Sequence, residues 1–340
     1  MPEPGFRKPA TNPPAGPWAR NGFPAVENAI ALGCGTSVPD LKTIPCPVCG
    51  ASDEQVCKDR VNQIYRIVKC RQCGLSFTNP MPLSGGHDAA GQVYDGWEYH
   101  DIFRKNPDRA LEMARLEMRL QIQFWRGRRV LPAKPGRLLD LGCGAGRIPA
   151  AAQEAGWEAI GLEVDEKAFA YTAKLWNLDI RPVVLAEAGF PKNSFDWVRA
   201  RYVLEHLADP AMILKEVLRV LKPGGIFTID VPNQEGFFSR LRIIRGQGKG
   251  MGQVYGYLDP PLHVIGYSPR TMKRLLERCG FEVPYSFSVL PGSPVWRPEC
   301  GHQGIKKWPY QAVQWGLSLL DLASISVTCG HKPQPAEAKA

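Results

Sequence analysis

The fold class of this chain is most clearly indicated by the segment Leu138-Leu139-Asp140-Leu141-Gly142-Cys143-Gly144-Ala145-Gly146-Arg147. An apolar run of strand length ends in a turn with glycine at every second position, and a helix-like pattern follows. Gly142, Gly144 and Gly146 lack a Cβ atom, so the backbone can turn sharply and a ligand can approach the main chain. The spacing differs from the Gly-x-Gly-x-x-Gly of dinucleotide-binding turns. The segment therefore predicts a cofactor-binding turn that is not built for a pyrophosphate.

A carboxylate follows at the distance expected of a ribose-binding acid. Glu163 closes the next apolar run, 158–162, about twenty residues after the glycine turn. Parallel strands bring these two ends to the same edge of a sheet, where a ribose diol needs hydrogen-bond acceptors. Asp165, on the same turn, is the alternative acid. The competing interpretation is a tight turn beside a surface carboxylate.

Apolar runs alternate with helix-like segments from residue 136 onward, which is typical of βα units around a parallel sheet. The predicted strands are 137–141, 158–162, 181–185, 195–200, 226–231, 281–289 and 324–328. Asp209-Pro210 and Ser268-Pro269 predict helix starts, and the segment 222–225 (Lys-Pro-Gly-Gly) predicts the end of the first of these helices. The chain is therefore expected to have an α/β fold.

Two Cys-x-x-Cys pairs precede this region. They are Cys46-Pro47-Val48-Cys49-Gly50 and Cys70-Arg71-Gln72-Cys73-Gly74. Four thiolates can close a tetrahedral zinc site, and each glycine allows the tight turn of a zinc knuckle. No histidine or carboxylate in the motif leaves a coordination position open, so a structural Zn²⁺ in a zinc ribbon is predicted. The alternatives are a redox dithiol pair and knuckles without metal.

These patterns predict five segments along the 340 residues: a disordered Pro-rich tail at 1–43, a four-cysteine zinc ribbon at 44–80, a helical lid or linker at 81–134, a catalytic domain at 135–332 and a disordered tail at 333–340. Arginines on the lid helix indicate a solvated face or an anion-binding patch. The basic, glycine-rich segment 239–250 is expected to be a loop, either a lid over an acidic substrate or a solvated connection.

Composition narrows the class of protein. The formal net charge of +9 favours solubility and affinity for anions without establishing nucleic-acid binding. The sequence contains no apolar run long enough to span a bilayer and no signal-like start, and the paired cysteines suit a reducing compartment, so a cytoplasmic protein is expected. The sequence carries no indication of oligomeric state.

Several motifs together resemble the class I S-adenosylmethionine-dependent methyltransferases, in particular the ubiquinone-biosynthesis O-methyltransferase group. The motifs are 138–147, Gly161-Leu162-Glu163, Phe195-Asp196, Val203-Leu204-Glu205-His206-Leu207 and Leu221-Lys222-Pro223-Gly224-Gly225. The resemblance implies a Rossmann-like, seven-stranded doubly wound sheet with S-adenosylmethionine over the carboxyl ends of the strands.

The same resemblance implies roles for individual residues. Asp140 and the glycine turn would lie near the methionine portion, Glu163 would bind the ribose, and Glu187 would line the adenine. The stretch 200–206, which contains Arg201, would border both the sulfonium and the methyl acceptor.

Methyl transfer is an in-line displacement, so the protein must align the acceptor and remove a proton from a weakly acidic hydroxyl. His206 and His263 are the candidates for that base, although either could instead only hold a loop. The leading hypothesis is methylation of a small-molecule acceptor, neutral or anionic, at oxygen, with a sugar or secondary-metabolite carbon as a variant. RNA methylation is a second hypothesis, disfavoured because aromatic and basic residues are not interleaved. A non-catalytic scaffold that keeps the fold is the third.

Overall fold

The computed structural model describes residues 40–61, 64–82, 106–245, 254–290, 312–313 and 316–334. The strands in these ranges are β1 (Leu41–Lys42), β2 (Glu54–Val61), β3 (Tyr65–Cys70), β4 (Ser76–Thr78), β5 (Met81–Pro82), β6 (Arg137–Leu141), β7 (Glu158–Leu162), β8 (Asp179–Arg181), β9 (Phe195–Arg201), β10 (Leu221–Pro232), β11 (Ile265–Gly266), β12 (Glu282–Val289) and β13 (Ile325–His331). The main α-helices are α1 (Pro107–Gly127), α2 (Arg147–Glu154), α3 (Glu166–Trp176), α4 (Pro210–Val220), α5 (Phe237–Ile244) and α6 (Pro269–Arg278).

Seven strands build the central sheet in the order β12-β13-β10-β9-β6-β7-β8. The ladders from β10 to β8 are parallel, and β13 runs antiparallel between β10 and β12. The predicted α/β, seven-stranded architecture is confirmed. Because the strands from β6 to β10 are parallel, their carboxyl ends share one edge, and the glycine turn lies there.

The two faces of the sheet bury different partners because neighbouring residues in a strand point to opposite sides. Leu138 and Trp197 face α1 and α2, where they pack with the fully buried Trp125. Leu139 and Val198 face the other side, whose core also contains residues of α4, α6 and the ribbon. The sheet is therefore covered on both faces, as a doubly wound fold requires.

Local sequence signals fix several boundaries. Asp209 accepts hydrogen bonds from the first-turn amides of α4, with Pro210 at the first helical position. Ser268 and Thr271 form a reciprocal capping box at the start of α6. Both predicted helix starts are confirmed.

Two predicted elements are wrong in part. The third strand of the catalytic domain, β8, ends at Arg181, whereas 181–185 was expected. Pro182 follows directly and has no N–H to continue the ladder. The expected loop at 239–250 begins as helix α5, whose apolar residues Phe237, Phe238 and Ile244 remain largely exposed. Residues 246–250 lie outside the described part of the chain.

The ribbon is joined to the catalytic domain by a shared sheet. Strands β2, β3 and β4 form an antiparallel meander, and β11 of the catalytic domain pairs with β4. The Thr78 amide also donates to the Val264 carbonyl at 2.9 Å. On the knuckle side, Arg278 of α6 donates to the Val48 carbonyl at 3.1 Å. The ribbon therefore packs directly against the catalytic domain.

The structure describes only parts of the predicted N-terminal tail and of the predicted lid. Most of the tail at 1–43 lies outside the described residues, but Leu41–Lys42 forms β1 and pairs with β5. The predicted lid contains α1, while 83–105 are outside the described residues. Among the helices described, none has both the length and the apolar character needed to cross a membrane.

Candidate active site

The glycine turn connects β6 to α2 at the carboxyl edge of the sheet. Gly142, Gly144 and Gly146 have φ values of 62°, 54° and 72°, in the left-handed region that favours glycine. A Cβ atom on Gly142 would lie 2.6 Å from Val203, and one on Gly146 would lie 2.5 Å from Ile180. The turn is therefore tightly packed on its protein side. Gly146 is the N-cap of α2, where its left-handed backbone ends the turn and the helix begins.

Glu163 lies directly beside this turn, where the sequence places a ribose-binding acid. One carboxylate oxygen accepts a hydrogen bond from the Gly144 amide at 2.9 Å, and the other accepts one from the Asp165 amide at 3.1 Å. The side chain is half-buried and held by the backbone on both oxygens. Asp165, the alternative acid, instead caps α3 by accepting from the Lys167 amide. The carboxylate of Glu163 is thus the better-oriented acceptor.

A buried ion network lies beneath the turn. Glu117 on α1 is fully buried and pairs with three arginines, Arg147 at 3.2 Å, Arg199 at 3.5 Å and Arg201 at 2.7 Å. Although burial opposes ionisation, these arginines hold the pKa of Glu117 well below its usual range. The network links the helix of the predicted lid to the sheet edge.

Asp140 and Arg201, both predicted to contact the cofactor, belong to this network. Asp140 lies 3.4 Å from Arg199, and burial raises its pKa to about 6 even though Arg199 opposes the change. Arg201 also pairs with Asp230 at 3.3 Å, while its Nη2 is buried without a hydrogen-bond partner among the described residues. Glu117 keeps Arg201 charged by raising its pKa against the effect of burial. One guanidinium nitrogen therefore remains available to an anion.

Sequence reasoning missed most of this network, although two signals were present. Arg199 interrupts an apolar strand, and a charge in the middle of a buried strand requires a partner. Glu117 follows Ala114 and precedes Met118 on the apolar face of α1, where a carboxylate is out of place unless paired.

The structure brings His206 and His263 together, with ring centroids 4.8 Å apart. His206 lies on a single 3₁₀ turn, Leu204–His206, after β9, and His263 precedes β11. The Nδ1 of His206 is 2.9 Å from the Leu262 carbonyl, and the Nδ1 of His263 is 3.0 Å from the Tyr257 carbonyl. Burial lowers the pKa of His263 to about 4, so its ring is neutral near pH 7.

Glu205 precedes His206 on the same turn, and the sequence predicts no role for it. It is 2% exposed, both carboxylate oxygens lack a hydrogen-bond partner in the described residues, and burial raises its pKa to about 8. The main chain at Glu205 accepts a hydrogen bond from the Val264 amide at 2.9 Å, which ties this turn to the segment before β11.

Glu187, predicted at the adenine, is exposed in a turn closed by its amide to the Val184 carbonyl. Its position after β8 keeps it on the same edge of the sheet as Glu163. Its role at a cofactor stays a prediction.

The four predicted zinc ligands converge. The sulfur atoms of Cys46 and Cys73 lie 3.5 Å apart, as do those of Cys49 and Cys70, and all four lie within 4.8 Å of one another. Gly50 and Gly74 have φ values of 79° and 80°, and their amides donate to the carbonyls of Cys46 and Cys70. The donor set and its closed shape fit a tetrahedral metal site.

Comparisons with known proteins place this geometry in context. A family described as a methyltransferase domain matches residues 112–285, half of the chain. A probable S-adenosylmethionine-dependent methyltransferase of Mycolicibacterium smegmatis is 32% identical over 168 residues, which are 49% of this chain and 60% of that protein. The 27-O-demethylrifamycin SV methyltransferase of Amycolatopsis mediterranei is 31% identical over 55% of this chain and 74% of its own length.

Other relatives match over shorter regions. A ubiquinone biosynthesis O-methyltransferase of Hahella chejuensis is 34% identical over 31% of this chain and 46% of its own length. Among solved structures, a methyltransferase of Thermotoga maritima described as a possible histamine N-methyltransferase is 20% identical, with a TM-score of 0.43, over 69% of this chain and 99% of that one. The chain spans 60% of the curated relative from M. smegmatis and 46% of the one from H. chejuensis.

Proposed function

The chain belongs to the S-adenosylmethionine-dependent methyltransferase domain family, and we propose that it transfers a methyl group from S-adenosylmethionine to the oxygen of a small-molecule acceptor. The observation that carries the cofactor assignment is the carboxylate of Glu163, fixed by the Gly144 amide beside a left-handed glycine turn. A ribose diol requires such an acceptor at this edge of the sheet.

In this proposal the buried network receives the methionine portion. The free Nη2 of Arg201 would bind its carboxylate, and Asp140 would attract its ammonium group. The side chain of Glu187 would approach the adenine. S-Adenosylmethionine supplies an electrophilic methyl carbon on a sulfonium, so the protein has only to align it with an acceptor.

The acceptor side is assigned to His206 and His263. In the displacement, an acceptor oxygen forms a bond to the methyl carbon while the carbon–sulfur bond breaks and its electron pair stays on sulfur. The acceptor hydroxyl must lose its proton in the process. The paired imidazoles would accept this proton.

The names of two relatives support a small-molecule acceptor and oxygen as the methylated atom. They are the rifamycin and ubiquinone-biosynthesis methyltransferases. The basic side chains Lys69 and Arg240 line a cleft of about 250 Å³ between the ribbon and the catalytic domain, together with Glu235, which agrees with an anionic or polar acceptor.

We further propose that the Cys46, Cys49, Cys70 and Cys73 cluster holds a structural Zn²⁺. All four positions of a tetrahedral ion would be taken by thiolates, which leaves none for chemistry. Its role would be to hold the two knuckles of the ribbon.

Calorimetric titration with S-adenosylhomocysteine tests the cofactor assignment. We expect micromolar binding to the wild-type protein and a loss of about 100-fold in Glu163→Ala, because two hydrogen bonds to a charged acceptor disappear. The control is Glu166→Ala, an exposed carboxylate on the adjoining helix, which should bind like the wild type. A folded wild-type protein that binds neither S-adenosylhomocysteine nor S-adenosylmethionine would instead support the scaffold hypothesis.

A further inference from the structure

We propose that Glu205, His206 and His263 bind a divalent cation, separate from the ion of the ribbon. The ligand atoms of the three side chains lie within 4.8 Å of one another. Zinc bonds to nitrogen and carboxylate oxygen are about 2.0–2.2 Å long, so two ligands on one tetrahedral ion are about 3.4 Å apart. Binding of an ion would therefore draw the three ligand atoms closer by up to about 1.4 Å.

The unpartnered carboxyl group of Glu205 favours a bound cation at this cluster. Both of its oxygens are buried and unpartnered within the described residues, and a carboxyl group in that position is costly unless something binds it. Glu117, equally buried in the same domain, shows the alternative solution, since three arginines surround it. Within the described part of the chain, no such arginine reaches Glu205. A bound cation would satisfy it.

The hydrogen bonds of the histidines present the correct nitrogen. A carbonyl oxygen only accepts, so the Nδ1 atoms that face the carbonyls of Leu262 and Tyr257 carry the protons. Each Nε2 then carries a lone pair. An imidazole held through Nδ1–H by a backbone carbonyl is the usual arrangement of a metal-ligating histidine.

The donor set indicates the class of ion. Two imidazoles and one carboxylate suit Zn²⁺, Mn²⁺ or Fe²⁺, and three protein ligands leave further positions open. His263 is half-buried, whereas Glu205 and His206 are buried. As an extension that rests on the proposed function, an open position would take the acceptor oxygen and lower the pKa of its hydroxyl. The preferred acceptor would then be one with an oxygen able to ligate a metal.

Manganese titration of the full-length protein, supplied with one equivalent of Zn²⁺ per chain for the four thiolates of the ribbon, tests the site, because Mn²⁺ prefers oxygen and nitrogen ligands and does not compete well for thiolates. We expect paramagnetic resonance to show about one bound Mn²⁺ per chain. Glu205→Gln and His263→Gln should each weaken binding by about 10-fold or more, since each removes a direct ligand. His331→Gln is the matched control, because His331 pairs with Ile226 at the opposite end of β10.

A second measurement separates loss of the site from loss of the fold. Mn²⁺ should raise the melting temperature of the wild type and of His331→Gln but not of Glu205→Gln, whose zinc content and S-adenosylhomocysteine affinity should be unchanged. Absence of Mn²⁺ binding to the wild type, or equal binding by Glu205→Gln, would overturn the proposal. Failure of the wild type to bind S-adenosylhomocysteine would overturn the proposed function while leaving the manganese result to stand.

Discussion

Two regions of the same sheet edge are built in different ways. The glycine turn and Glu163 are contributed by β6 and β7, neighbours in sequence and in the sheet, and their contacts are made by backbone amides. The cluster of Glu205, His206 and His263 depends on β11, which is held by β4 of the ribbon. The proposed cofactor region is therefore locally determined, whereas the proposed acceptor region depends on a separate module. This difference predicts that the two can be damaged independently.

Removing the ion from the ribbon should have the largest effect. Cys73→Ser removes one of the four thiolates that would hold the proposed Zn²⁺, and structural zinc sites contribute roughly 10–16 kcal/mol in isolated zinc fingers. We expect amide hydrogen exchange at 264–267 to accelerate at least about 100-fold, the loss of protection when a strand pairing opens. Exchange at 138–144 should stay within about threefold of the wild-type protein. Equal acceleration in both segments would contradict the separation of the two regions.

Glu117→Gln tests the buried ion network that lies beneath the proposed cofactor region. The change leaves three arginines without their shared carboxylate, and breaking a buried ion pair costs about 3–5 kcal/mol. Urea unfolding should show that loss in the free energy of unfolding, along with weaker S-adenosylhomocysteine binding. Glu112→Gln, exposed on the same helix, is the control and should change stability by less than about 0.5 kcal/mol. A stability loss as small as that of the control would mean that the arginines are satisfied without Glu117.

Arg278→Ala should have the smallest effect and should act on the ribbon, which supports the proposed acceptor region, and not on the proposed cofactor region. It removes the hydrogen bond to the Val48 carbonyl, worth about 1 kcal/mol at a partly exposed position. We expect faster amide hydrogen exchange in the knuckle at 46–50. The affinity for S-adenosylhomocysteine should be unchanged. Arg274→Ala, an exposed arginine on the same helix, serves as the comparison. If the cofactor affinity falls with Arg278→Ala alone, the two regions are coupled through α6.

The local geometry that the sequence predicts correctly is the geometry that short motifs encode. The three glycines of the turn have a left-handed backbone, and each Cys-x-x-Cys pair closes its own tight turn. Glu163 reaches the Gly144 amide because the parallel strands β6 and β7 bring their carboxyl ends together. Asp209 and Ser268 likewise cap the helices that begin directly after them. For such features the local backbone geometry is already specified by the residue types.

The features that were missed join distant parts of the chain. The pairing of Phe77 with Ile265 has no local signature, because any apolar edge strand could accept either partner. The pairing of Glu117 with Arg199 required knowing that α1 lies on the sheet, and the isolation of Glu205 required knowing what surrounds it. Helix α5 was missed because its arginines and the glycines that follow it at 246–250 together indicate a loop.

The pairing of β4 with β11 also has a consequence for synthesis of the protein. The ribbon leaves the ribosome early, but the strand that completes its sheet follows after most of the catalytic domain. Until then the edge of β4, which contains Phe77, has unpaired backbone groups that could pair with a strand of another chain. An early-bound metal would keep the two knuckles closed during that interval, and so would limit mispairing before the last strand of the ribbon sheet arrives.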